Sequence, residues 1–87
     1  ALMAKNISFD KNCLAAPANK PFSIRFTNED AGVPHNVAIL SSGKELFTGE
    51  IVTGPKTSTY RVEALPAGTY EFHCDVHPSM KGTFVSK

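Results

Sequence analysis

The chain has 87 residues, with nine Lys and Arg against eight Asp and Glu for a net charge of +1. That length predicts one small domain over residues 1–87. Singly scattered basic residues exclude a nucleic-acid footprint, no apolar run approaches the roughly 18 residues of a membrane span, and two cysteines are too few for a disulfide framework. So short a chain buries a thin core, and a bound metal is one way to support it. Ala1-Leu2-Met3 is too short for the apolar region of a signal peptide. The chain therefore reads as a mature exported protein or as a domain cut from a longer one.

Short alternating runs between Gly, Pro, Asn and Ser clusters predict an all-β domain. Ile7 and Phe9 flank Ser8 and predict a first strand. Phe22, Ile24 and Phe26 alternate with Ser23, Arg25 and Thr27 and give the clearest half-buried strand. Residues 35–40 predict another, with Val37 and Ile39 on one face, and 41–44 a turn before a short piece around Leu46 and Phe47. Residues 57–62 form a polar strand with Tyr60 and Val62 facing one way. After a turn at 65–68, residues 69–74 carry Tyr70 and Phe72 inward, and 81–86 close the chain. Seven or eight short strands of this kind predict a Greek-key β-sandwich.

The chemistry is concentrated in His73-Cys74-Asp75-Val76-His77-Pro78-Ser79-Met80. Cys74, His77 and Met80 follow one another at intervals of three, so one tight loop delivers a thiolate, an imidazole and a thioether. Strand parity places His35 with Val37 and Ile39, and Cys74 with Tyr70 and Phe72, so both point inward from strand ends that can be neighbours. Two imidazoles, a thiolate and a weak thioether are the donor set of electron-transfer copper sites. Structural zinc asks for four strong ligands, and Met is not one of them.

The stretches VPHNV and YEFHCDVHPSMKGTFV resemble the cupredoxin family of small blue-copper proteins. The short C-x2-H-x2-M loop is most similar to the amicyanin branch of its plastocyanin-like group. The resemblance implies one copper ion cycling between Cu(I) and Cu(II), bound in a plane by His35, Cys74 and His77 with Met80 as axial ligand. It implies an electron carrier and not an enzyme, and a place in the periplasm or on the outer face of a membrane. It also implies that the Asn36 N–H bonds the thiolate while the Asn36 side chain ties the two ligand loops together. Asp75 stands where many relatives carry Ser or Thr, but a carboxylate can still accept the amide. Val76 replaces a usual Pro, which frees an N–H for a second bond to the Cys74 sulfur; on that reading Val76→Pro lowers the reduction potential.

The implied partners are redox proteins, docked on an apolar collar of Val33, Pro34 and Pro78 around the His77 edge. A monomer is expected, and a membrane tether or a longer chain is compatible with the sequence. A protein that stores or delivers copper is the alternative, although no exposed Met- or His-rich run favours it; a structural sandwich with a vestigial site comes third.

Each residue also has a plain reading. Cys74 can be an inert thiol, Met80 core filler and His77 an ordinary loop residue. His73, of opposite parity to Cys74, reads as an ordinary strand residue, or else as part of a second metal site completed by a partner. Cys13 is expected to be a buried structural thiol. Glu29, Asp30 and Glu45 read as isolated, solvated acids. A Cys74–His35 nucleophilic dyad lacks an oxyanion hole and leaves Met80 without a role.

Overall fold

Alternation of apolar and polar residues builds β3 (Phe22–Asn28), whose Ile24 and Phe26 are buried between exposed Ser23 and Arg25. In this computed structural model, which describes residues 1–77 and 79–87, β3 pairs antiparallel with β8 (Lys56–Val62), setting Ile24 opposite Tyr60. β1 (Leu2–Ala4) lies parallel along the other edge of β3. The second sheet runs in the order β2 (Cys13–Ala16), β10 (Lys81–Ser86), β9 (Gly68–His73), β5 (Ala38–Ser41) and β6 (Lys44–Thr48). β4 (Pro34–His35) and β7 (Val52–Thr53) form a small third ladder, His35 opposite Val52. The first sixteen residues thus contribute one strand to each main sheet, both in parallel pairing.

The inward faces meet in one core of Leu2, Ile24, Phe26, Val37, Ile39, Tyr60, Val62, Phe72 and Phe84, with Cys74 and Met80 at one end. Phe22 stacks on Phe84 with ring centroids 5.2 Å apart, and Phe26 on Tyr60 at 5.9 Å. The buried rings of Phe26, Tyr60 and Phe84 each contribute about 1.5–3 kcal/mol. The expected two-sheet sandwich is what forms.

Several expected elements differ in detail. Residues 7–9 are no strand: Asn6 and Ile7 have φ of 55° and 54°, a left-handed bend that cannot continue a ladder, and Ile7 is half exposed. The first strand is Leu2–Ala4 instead. Residues 35–40 do not run as one strand. β4 ends at His35 and β5 begins at Ala38, and every residue between 35 and 40 is buried, so parity does not hold there. The break comes at Asn36, whose amide bonds Gly49 and Asp75 across the chain. Two-residue pieces raise the number of strands to ten among the described residues. Cys13 is exposed rather than buried, because β2 is an edge strand; it and Cys74 are both free thiols.

Gly49 fits this break closely. Its N–H bonds the Val37 carbonyl at 2.9 Å, and a Cβ there would stand 2.6 Å from that oxygen and 2.8 Å from Tyr60 Cζ. Gly49→Ala should therefore cost about 1–3 kcal/mol in urea unfolding of the metal-free protein; an unchanged midpoint would contradict the packing. Tyr60 donates to the Glu50 carbonyl at 2.6 Å, and burial, with the Cys74 and Glu50 charges, pushes its phenol up to about 12. Tyr60→Phe should cost about 1 kcal/mol in the same measurement.

Candidate metal centre

The register of the second sheet brings the two halves of the site together. β5 pairs with β9 so that Ala38 lies opposite His73. The residues just before Ala38 and just after His73 therefore meet beyond the end of the ladder. Asn36 and Asp75 join there by two bonds. Asn36 Nδ2 donates to Asp75 Oδ2 at 3.0 Å, and the Asp75 N–H donates to Asn36 Oδ1 at 2.8 Å. The same amide donates to the Gly49 carbonyl at 3.0 Å, and the Asn36 N–H points at Cys74 Sγ from 3.5 Å. The role expected for Asn36 is the one its geometry shows, with a carboxylate as the accepting partner.

Cys74 and His35 are both fully buried. The Cys74 N–H donates to the Met80 carbonyl at 3.0 Å and the Met80 N–H to the His77 carbonyl at 2.8 Å, so the 74–80 loop folds back onto its own start. Met80 is buried beside Cys74 in the core, while His77 is half-buried. Pro78 lies outside the described residues.

Three donor atoms converge. Cys74 Sγ is 3.7 Å from His35 Nδ1 and 3.9 Å from His77 Nδ1, and the two ring nitrogens are 3.2 Å apart. An ion about 2.0–2.1 Å from each imidazole and about 2.3 Å from the thiolate would span edges of about 3.3–3.8 Å. The observed edges all lie within about 0.1 Å of that range. The chemistry of the triangle fits as well, since soft thiolate with imidazole suits copper.

Asp30 fixes the tautomer. Its Oδ2 lies 2.7 Å from His35 Nε2. The N–H of Ile7, the His35 ring and the N–H of Asn6 hold the Asp30 carboxyl below the usual carboxylate range, against its partial burial. An ionised carboxylate only accepts, so Nε2 carries the proton and Nδ1 keeps its lone pair for the site. A carboxylate behind an imidazole in this way orients the ring and makes it more basic.

Two acids read as isolated in sequence are therefore not so, although Glu45 is exposed. Asp30 backs His35, and Glu45 joins His73 and Asp75 in a cluster on the outer face. Neither was legible, because both partnerships cross strands. The expected second bond to sulfur is not formed among the described residues: Asn36 is the one backbone donor to Cys74 Sγ, and Val76 lies at the loop's exposed side. The Asp75 N–H is directed to Asn36 instead, which turns the loop.

The family model of the cupredoxin-like domain matches residues 1–85. The chain is 36% identical to amicyanin of Paracoccus versutus over 55 residues, 61% of this chain and 40% of that protein. It is 32% identical to amicyanin of Paracoccus denitrificans over 65 residues, 72% of this chain and 47% of that protein. It thus spans less than half the length of the curated relatives it matches. Auracyanin A of Chloroflexus aurantiacus, a "blue" copper protein, superposes with a TM-score of 0.84 at 20% identity, covering 99% of this chain and 95% of that one. With the sandwich, the converging donors and the matched span in agreement, the chain belongs to the cupredoxin-like family.

Proposed function

We propose that this chain is a single electron-transfer domain in which His35, Cys74, His77 and Met80 would hold one copper ion. The observation that carries the reading is the close triangle of one sulfur and two ring nitrogens, Cys74 Sγ, His35 Nδ1 and His77 Nδ1. Bound copper supplies a one-electron couple between Cu(I) and Cu(II).

The chain's own part is to keep the donors still. Asp30 holds the His35 ring, Asn36 joins the two ligand segments, and Met80 closes the loop that carries Cys74 and His77. A site held this way moves little when charge changes, which favours a carrier over an enzyme. Full burial of His35 and Cys74 also disfavours copper delivery, which needs donors that an acceptor can reach.

Electrons would pass through the half-buried His77 ring to a redox protein. Val76, 39% exposed on the ligand loop, together with half-buried Val33 and Pro34, supplies apolar surface for docking. We place the protein outside the cytoplasm, in the periplasm or on a membrane's outer face, as the family resemblance implies.

Adding Cu(II) to the metal-free protein should give an intense thiolate-to-copper absorption and an EPR spectrum with narrow hyperfine splitting, both reversible through one-electron cycles. A colourless copper-bound protein would overturn the proposal. Asp30→Asn replaces the charged acceptor behind His35 with a neutral one. It should raise the reduction potential and weaken Cu(II) binding about 10–100-fold; cyclic voltammetry and a competition titration measure the two effects.

A further inference from the structure

On the outer face of the second sheet, Thr48, Ala38 and His73 stand in one cross-strand row, since Ala38 pairs with both of the others. Ile39 and Phe72, the next residues along, face the core. Ala38 is the small floor of this row, and three side chains converge over it. His73 Nε2 is 2.7 Å from Asp75 Oδ1 and 3.4 Å from Glu45 Oε2. All three donor atoms lie within 4.8 Å of one another. We propose that Glu45, His73 and Asp75 form a second metal site, distinct from the copper centre, that takes one divalent first-row cation such as zinc.

Three features support this reading. The donor set is mixed, one imidazole with two carboxylates, which is a three-ligand arrangement that zinc accepts with water completing its coordination. One edge already has the right length. With bonds of about 2.0–2.2 Å, ligand atoms sit about 3.3 Å apart, so the 3.4 Å edge fits and the 2.7 Å edge must open by about half an ångström. Each carboxylate is also anchored through its other oxygen. Thr48 Oγ1 donates to Glu45 Oε1 at 2.6 Å, and Asn36 Nδ2 donates to Asp75 Oδ2 at 3.0 Å. Such outer bonds orient ligands and leave Oε2 and Oδ1 aimed at the histidine.

Charge points the same way. Two carboxylates around one ring leave negative charge that a divalent ion cancels. Lys81 follows His73 in the same row on β10, and among the described residues it makes no ion pair with either acid. The two sites also touch the same residue. Asn36 bonds Asp75 through its side chain and faces Cys74 Sγ through its N–H, so a cation on the outer face is felt at the thiolate.

The cation site stands on its own geometry; only its effect on the potential rests on the proposed copper centre. Isothermal titration of copper-loaded protein with zinc tests it, with visible absorption recorded throughout to show that copper stays in place. One zinc per chain should bind, and His73→Asn and Glu45→Gln should each weaken it at least tenfold while keeping the absorption of the parent. Zinc should raise the reduction potential of the parent and leave that of Glu45→Gln unchanged. No zinc binding, or equal binding in parent and both variants, overturns the second site. A protein that never shows the thiolate absorption overturns the copper reading instead, and zinc binding lost in both variants would then still identify this site.

Discussion

The two bonds between Asn36 and Asp75 are the constraint on which the centre depends. The donors come from residues 35, 74 and 77, and nothing in local chain stiffness holds position 35 against position 74. The sheet brings the segments side by side but stops short of the site, since the ladder of β5 and β9 ends at Ala38 and His73. Beyond that point a side-chain amide takes over the work of the backbone, accepting from one N–H and donating to a carboxylate and a carbonyl. The Asn36 amide is buried, and there a satisfied polar network is rigid and a broken one is costly. The geometry of the donor triangle is thus set by protein bonds and does not need to be imposed by the ion.

Asp30 extends this framework in another direction. One oxygen accepts from the Asn6 N–H at 2.6 Å, and the other meets both the Ile7 N–H at 2.9 Å and His35 Nε2 at 2.7 Å. A left-handed bend near the chain's start and a buried imidazole therefore share one carboxylate. The bend offers two adjacent N–H groups to an anion, and the anion in turn selects which ring nitrogen is free. Local backbone shape and ligand chemistry are joined by a residue that neither strand pattern nor motif spacing marks.

Much of this was legible in the residue order. Alternation identified β3, β8 and β9, because those strands each have one face in the core. The ligand loop was legible because its donors are close in sequence and chemically distinctive. Residues 35–40 misled because both faces are buried there, so the period of two carries no information. Ile7 misled for the opposite reason, as an apolar residue in a bend held by a distant acid. Cys13 misled because its strand lies at a sheet edge, which composition does not reveal. Asp30 and Glu45 were unreadable as partners, since pairing across strands depends on register. The likeness of fold to auracyanin A spans the whole sandwich at 20% identity, as expected where a fold asks only for pattern.

The strand β2 pairs with β10 and with no other strand among the described residues. Cys13 sits opposite Thr83 and Ala16 opposite Ser86, about seventy residues apart along the chain. During synthesis this early segment has nowhere to dock until β10 has been made. The sandwich must then close late and over a long loop, a topology associated with slow folding. Until that moment the edge of β9 stays open to any other extended segment, so chaperone capture and mispairing compete with closure in that interval.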